Sequence, residues 1–294
     1  MSHESDIPLR QAYRLHGRNW RDNAYCYPVV SRRSGGLSIG INLNPDTACN
    51  FDCIYCQVDR STPPTVRKVD LDRLRAELDA LLEAAQSGAL FAEAPFDCLG
   101  PDKRRICDIA FSGDGEPTTY PRFVEAVRIA AEARRARGLE QTKLVLITDA
   151  CYLTQPKVVT GLKLLDENNG EIWAKLDAGT EEYYQRVNRP NFPLSHVLAN
   201  ISQTAKQRAM VIQSMWMKVH GQPPPQEECR AFAGRVSNII TCGGRIKLIQ
   251  IYTIARQTAE TYATALTRNE LDHVATIIRS TLNLPLETYY GTEG

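Results

Sequence analysis

Three cysteines lie within eight residues of this sequence, close enough along the chain to act together as ligands. Cys49, Cys53 and Cys56 follow a Cys-x3-Cys-x2-Cys pattern, and Tyr55 stands directly before the third cysteine. Cysteine thiolates are the usual ligands of iron–sulfur clusters. Three thiolates can hold three irons of a four-iron cubane, which leaves the fourth iron open to a small molecule.

Two other interpretations of these cysteines stay open at this point. A zinc site usually has four nitrogen or sulfur ligands, often from two cysteine pairs. The sequence has no second pair of this kind, and the loop contains no histidine. A chance group of free cysteines in the core is the other alternative, since free cysteine is often a small hydrophobe. We expect a structural or incidental role for most of the remaining cysteines, which are Cys26, Cys98, Cys107, Cys151, Cys229 and Cys242.

A second candidate ligand-binding run is Gly113-Asp114-Gly115-Glu116-Pro117, which follows an apolar segment. Glycine lets a backbone come close to a ligand, and carbonyls with a carboxylate suit the amino group of a bound amino acid. The alternative is a tight turn into a helix. Thr148 with Asp149, and Lys175 with Asp177, also follow apolar segments, and they are candidate partners for a ribose or a carboxylate, or else caps of strand ends.

Alternating strands and helices must position these residues. The hydrophobic periodicity predicts six strands, with helices between them, and the candidate residues fall where strands end. A parallel sheet gathers the carboxyl ends of its strands at one edge, where functional residues collect. The sequence therefore predicts an α/β fold, a partial (βα)6 barrel. The predicted strands are 37–43, 106–111, 143–147, 172–176, 210–217 and 246–252, and the predicted helices lie at 71–87, 122–137, 156–167, 180–187, 195–207, 225–240 and from 268 onward.

Length, charge and composition narrow the class of protein. The chain has 294 residues and a formal net charge of +1, which gives no general argument for nucleic acid or for a membrane surface. No apolar signal region and no run of transmembrane length is visible, so we expect a cytoplasmic protein with reduced thiols and no membrane association. We expect a monomer with an N-terminal extension over residues 1–35 and one catalytic domain over residues 36–294.

The N-terminal extension is the only visibly basic and aromatic segment. We weigh two interpretations of it: an extension packed on the barrel with solvated or paired arginines, and a contact surface for a phosphate-bearing substrate. The residues concerned are Arg10, Arg14, Arg18, Arg21, Arg32 and Arg33, with Tyr13, Trp20, Tyr25 and Tyr27 between them.

The cysteine loop, taken with the Gly115-Glu116-Pro117 run, resembles the radical S-adenosylmethionine (SAM) superfamily. Four further segments resemble the branch that includes the wyosine tRNA-base synthases: 28–40, 111–118, 175–179 and 250–256. The resemblance implies a partial barrel of the radical SAM type. It also implies one [4Fe–4S] cluster held by Cys49, Cys53 and Cys56, with SAM on the fourth iron.

The resemblance also assigns expected contacts with SAM. Tyr55 would lie near the adenine through its backbone, and the Gly113, Gly115 and Glu116 turn would bind near the methionyl amine, so that a side chain at Gly115 would intrude on SAM. The remaining predicted cofactor contacts face the ribose side, and they are Thr148, Asp149 and Asp177. Only Cys26 stands in the N-terminal segment, so we expect no second cluster there.

The function implied is reductive cleavage of SAM to a 5′-deoxyadenosyl radical that abstracts hydrogen from a substrate. The leading substrate class is an RNA base or another nucleotide-like molecule, and the expected electron donor is a protein such as flavodoxin or ferredoxin. Two alternatives stay open: an activase or maturase acting on a protein partner, and a non-catalytic iron–sulfur or zinc protein.

Overall fold

A computed structural model describes residues 9, 11–13 and 20–291. The chain divides into two compact units. The first unit contains Met1–Ala48, Thr62–Ile147 and Pro156–Glu171, and the second contains Cys49–Ser61, Thr148–Gln155 and Ile172–Gly294. The predicted division of the chain into residues 1–35 and 36–294 stays a prediction.

The strands of the first unit are ordered β1-β2-β3-β4. β1 runs antiparallel to β2, whereas β2, β3 and β4 are parallel to one another. The strands are β1 (Cys26–Ser31), β2 (Gly36–Ile41), β3 (Ile106–Phe111) and β4 (Lys143–Thr148), and the helices are α1 (Leu71–Gln86), α2 (Phe123–Ala136) and α3 (Pro156–Asp166). Asp70 caps α1 as its sequence position predicts, because its carboxylate accepts hydrogen bonds from the first backbone N–H groups of the helix.

Part of the predicted N-terminal extension is a core strand, which the sequence analysis missed. β1 lies beside β2, and Tyr25, Cys26 and Tyr27 are buried. The carboxylate of Glu77 on α1 accepts the consecutive backbone N–H groups of Ala24, Tyr25 and Cys26 at 2.8, 2.8 and 3.1 Å. A buried carboxylate that accepts several N–H groups fixes the path of the chain into β1.

The second unit contains the remaining strands in the order β5-β6-β8-β10, and β6 pairs in parallel with β5 and β8. A separate antiparallel pair joins β7 and β9, so the predicted strand 210–217 is divided at Trp216. The strands are β5 (Gly170–Lys175), β6 (Met210–Met215), β7 (Met217–Val219), β8 (Ile246–Tyr252), β9 (Ala263–Ala265) and β10 (Leu286–Tyr289), and the helices are α4 (Glu181–Asn188), α5 (Leu194–Gln207), α6 (Gln226–Thr241) and α7 (Arg268–Thr281).

The six predicted strands are therefore all present, as are the helices between them, and Thr267 with Glu270 forms the predicted capping box of α7. β1, β9 and β10 were not predicted, and neither was the separation of β7 from β6. None of the helices in the described ranges combines the length and apolar character needed to cross a membrane.

Candidate active site

The cysteine loop of the second unit is held along the C-terminal end of α4. The backbone N–H of Asp52 donates to the carbonyl oxygen of Asn188 at 3.2 Å, and that of Ile54 donates to Val187 at 3.0 Å. On the other side of the loop, the N–H of Ala259 donates to the carbonyl oxygen of Cys56 at 2.9 Å. These backbone bonds fix the loop without using a cysteine side chain.

The predicted cluster ligands Cys53 and Cys56 each receive a hydrogen bond at sulfur. The side-chain amide of Asn188 donates to Cys53 Sγ at 3.4 Å, and the guanidinium of Arg60 donates to Cys56 Sγ at 3.0 Å. Burial lowers the pKa of Arg60, but its hydrogen bond to Cys56 and the charges of Cys56 and Cys49 outweigh this and raise the pKa. Desolvation raises the pKa of the Cys53 thiol to about 12, whereas the Asn188 amide favours its thiolate.

Asp177, a predicted contact of the ribose, is the centre of a hydrogen-bond network in the same unit. One carboxylate oxygen accepts the backbone N–H of Met215 at 2.8 Å and the ammonium of Lys175 at 3.0 Å. The other accepts the hydroxyl of Tyr55 and the amide of Asn188, the latter at 3.0 Å. A carboxylate has about four acceptor positions. This arrangement favours positioning of Tyr55 and Asn188 by Asp177 over a direct contact of its side chain with a ribose.

Lys175 is held as a cation in this network. Burial lowers the pKa of its ammonium, but the nearby carboxylate of Asp177 and the hydroxyl of Tyr252 outweigh that effect and raise it. The ammonium also lies 4.9 Å from the ring centroids of both Tyr55 and Tyr252. Aromatic faces attract a cation at this distance, so Lys175 supplies a fixed positive charge.

Thr148 and Asp149, at the end of β4, shape the loop that follows. Thr148 Oγ1 accepts the N–H of Ala150 at 3.0 Å, and a carboxylate oxygen of Asp149 accepts the N–H of Cys151 at 2.9 Å. Ala150 adopts a φ of 68°, a left-handed conformation that costs an L-residue roughly 1–2 kcal/mol. Asn200 on α5 holds this turn by donating to the carbonyl oxygens of Ala150 and Cys151.

The predicted methionyl-binding turn lies in the first unit, where the end of β2 holds it. Gly113 has a φ of 150°, and a Cβ there would stand 2.5 Å from Asn42 Oδ1. At Gly115 a Cβ would meet the carbonyl oxygen of Ala48 and would lie 2.8 Å from Asn44 Cβ. Glycine is therefore required at both positions by the protein's own chain. For Gly115, this is a different physical reason from the predicted clash with SAM.

Glu116, in the same turn, is buried with 3 % of its surface exposed. Its Oε1 accepts hydrogen bonds from both the backbone N–H, at 3.1 Å, and the hydroxyl of Thr118. Thr119 donates to the carbonyl oxygen of Glu116 at 2.7 Å and receives the side-chain amide of Asn44 at 2.9 Å. The turn is thus rigid, with its carboxylate fixed by adjacent residues.

A family model described as the Radical SAM superfamily matches residues 43–208, which is more than half of the chain. The chain belongs to the radical SAM superfamily. The match includes the cysteine loop, the glycine-rich turn and the Lys175–Asp177 segment. The predictions of a radical SAM enzyme, a [4Fe–4S] cluster and SAM are confirmed at the level of this superfamily.

Curated relatives and solved structures extend this result. A UPF0026 protein of Helicobacter pylori is 27% identical over 166 residues, which cover 55% of this chain and 45% of that protein. A UPF0026 protein of Synechocystis is 31% identical over 180 residues, covering 59% and 56% of the two chains. The chain thus spans about half the length of these curated relatives.

Among solved structures, a radical SAM methyltransferase from Sphaerobacter thermophilus has a TM-score of 0.61 at 11% identity, covering 90% of this chain and 68% of that chain. A structure of TYW1 with a lysine-pyruvate adduct bound has a TM-score of 0.53 at 14% identity, with coverages of 94% and 82%. These likenesses show the fold, so the predicted α/β fold of the radical SAM type is confirmed.

The chemistry of the donor set fits a radical SAM cluster. Cys49, Cys53 and Cys56 are in no disulfide and are of intermediate exposure. Buried polar atoms lie next to two of them: both side-chain polar atoms of Asn50, and Asn188 Oδ1, have no partner among the described residues. No three His, Cys, Asp or Glu side chains in those ranges form a group that could hold one metal ion. Each cysteine of a four-iron cluster binds a separate iron, so such a cluster does not require three ligands around one metal ion.

The described residues of the N-terminal segment are paired or buried. Arg10, Arg14 and Arg18 lie outside the described residues. Arg21 pairs with Glu93 at 2.7 Å and lies over the ring of Trp20, whose indole also donates to Glu93. Tyr25 and Tyr27 are buried and Trp20 is only 7% exposed, so these three rings are unavailable for base stacking. Their burial agrees with the packed interpretation of this part of the segment.

Cys26, the only cysteine of that segment, belongs to the core. It is fully buried, and burial raises the pKa of its thiol well above the usual value. This placement is that of a structural cysteine. Sequence reasoning missed three site residues: Asn188, Arg60 and Asn200. Asn188 and Asn200 contact residues that are distant in sequence and that only the fold brings near. Arg60 is close to Cys56 in sequence but belongs to no recognisable motif.

Proposed function

We propose that this protein reductively cleaves SAM at one [4Fe–4S] cluster bound by Cys49, Cys53 and Cys56. The observation that carries the proposal is the cysteine loop itself: three cysteines outside any disulfide at the superfamily spacing, with N–H···S hydrogen bonds to Cys53 and Cys56. Such bonds stabilise a thiolate, which is the form that ligates iron. When bound, the cluster and SAM supply a 5′-deoxyadenosyl radical for hydrogen abstraction.

The chain's own residues would bind and orient SAM. By the family resemblance, the turn of Gly113, Gly115 and Glu116 would lie near the methionyl amine. Thr148 and Asp149 stand at the end of β4, on the predicted ribose side. Tyr55, whose hydroxyl donates to Asp177, would present its backbone to the adenine. Lys175 adds a fixed cation to the same unit.

The cluster assignment is tested by anaerobic reconstitution of single cysteine variants. Cys49→Ala, Cys53→Ala and Cys56→Ala should each lose the visible absorption and the paramagnetic signal of the reduced cluster. Cys107→Ala is the matched control, because Cys107 is also of intermediate exposure but lies on β3. A full cluster in any of the three loop variants would contradict the assignment, and about eight irons per chain in the native protein would reveal a second cluster.

We further propose an RNA base or another nucleotide-like molecule as the substrate, with electrons supplied by a flavodoxin-like or ferredoxin-like protein. The likeness of the segments 175–179 and 250–256 to the wyosine branch supports this substrate class. The test incubates the reduced holoenzyme and SAM with cellular RNA and with cellular protein, and searches both by mass spectrometry. A new mass on an RNA base supports the proposal, and a modified protein with unchanged RNA supports the maturase alternative instead.

A further inference from the structure

Asn188 makes contacts that neither helix formation nor loop anchoring requires of its side chain. It is the last residue of α4 and only 1% exposed. Its side-chain nitrogen lies 3.4 Å from Cys53 Sγ, 3.2 Å from the hydroxyl oxygen of Tyr55 and 3.0 Å from a carboxylate oxygen of Asp177. The amide therefore joins a predicted cluster ligand to the Asp177 network.

The surroundings fix which end of this amide faces the cysteine. The three neighbouring atoms all act as acceptors here, because the Tyr55 hydroxyl gives its own proton to Asp177. Only the amino end of an amide can donate to them. The opposite atom, Oδ1, stays without a partner among the described residues, and an unpaired buried acceptor is costly. In this orientation the amide leaves Oδ1 unpaired and places its N–H group at the cysteine sulfur.

We propose that Asn188 is a positioning residue that sets the reduction potential of the cluster through its N–H···S bond to Cys53. The inference rests on the proposed function, because it takes Cys53 as a cluster ligand. One-electron reduction makes a cluster more negative, and a hydrogen bond to a ligating sulfur stabilises the more negative form. Hydrogen bonds to the sulfurs are among the factors that set the potentials of iron–sulfur clusters. Asn188 thus makes the cluster easier to reduce by a one-electron donor.

The test is a redox titration of the reconstituted protein without SAM, followed by the paramagnetic signal of the reduced cluster. In Asn188→Leu, which has a similar shape and no N–H group, the ratio of reduced to oxidised cluster at a fixed potential should fall about tenfold. This corresponds to a midpoint about 59 mV more negative for one electron. Asn188→Asp, which places an oxygen beside the sulfur, should shift the midpoint in the same direction and further.

Gln213→Leu is the matched control. Gln213 is a fully buried amide of the same unit that bonds to Gln250 and to no cysteine, so its variant should keep the native midpoint. A native midpoint in Asn188→Leu or Asn188→Asp, with full iron content, overturns the inference. If Asn188→Leu does not fold, Asn188→Ala replaces it and must show the same shift.

Iron content separates this inference from the proposed function. A native protein that assembles no cluster refutes the proposed function, whereas a full cluster with unchanged midpoints in the Asn188 variants refutes only the role of Asn188. A variant that merely loses iron, with a native midpoint for the remaining cluster, shows a structural role and also overturns the inference.

Discussion

Gly115→Ala should destabilise the protein in the absence of any ligand. The added Cβ would meet the backbone carbonyl of Ala48 and Asn44 Cβ, the latter at 2.8 Å, which is shorter than real Cβ contacts. A backbone carbonyl next to the cysteine loop cannot rotate away as a side chain can, so the chain must shift. Overpacking of this kind costs about 1–3 kcal/mol, and the involvement of backbone places the expectation near 2–3 kcal/mol.

Urea unfolding of the apoprotein measures this cost. The midpoint should fall while the slope of free energy against urea stays unchanged. Gly234→Ala is the control, because Gly234 lies inside α6 with nothing within 4 Å of an added Cβ. Alanine in a helix interior is about 0.8–1 kcal/mol better than glycine, so this variant should gain stability. A Gly115→Ala apoprotein as stable as the native one, but with weakened SAM binding, would refute the packing argument and assign the glycine to the ligand alone.

Two further predictions concern stability. Glu77→Gln should lose roughly 1.5–3 kcal/mol in urea unfolding, because a neutral amide replaces the carboxylate that accepts three backbone N–H groups before and within β1; an unchanged midpoint would show that this anchor is dispensable. Ala150→Gly should gain about 0.5–1 kcal/mol by relieving the left-handed alanine, measured in the same way with Ala150→Val as the destabilised counterpart, and a loss of stability in the glycine variant would contradict the strain argument.

Much of the fold could be predicted because local pattern and local structure agree. Asp70 precedes a helix with apolar residues at helical spacing, and it caps that helix. Thr267 and Glu270 form a capping box three residues apart, which is a signal within one turn. The strands end in polar residues at the predicted places, since functional residues collect at the carboxyl ends of parallel strands.

The features that were missed depend on pairing between distant residues. In sequence, β1 resembles part of a basic extension. It forms a strand because it pairs antiparallel with β2, and because the Glu77 carboxylate accepts backbone N–H groups at its start. Asn188 lies 135 residues from Cys53, and no periodicity or spacing connects the two. Likewise, the reason for Gly115 is visible only once Ala48 is placed against it.

SAM cleavage by the reduced protein decides the proposed function. The reconstituted native protein, Cys53→Ala and Cys107→Ala are each reduced anaerobically with dithionite in the presence of SAM, and 5′-deoxyadenosine is quantified by chromatography. We expect 5′-deoxyadenosine from the native protein and from Cys107→Ala, with none above background from Cys53→Ala. Native protein that holds about four irons per chain and binds SAM, yet forms no 5′-deoxyadenosine, would contradict the proposed function.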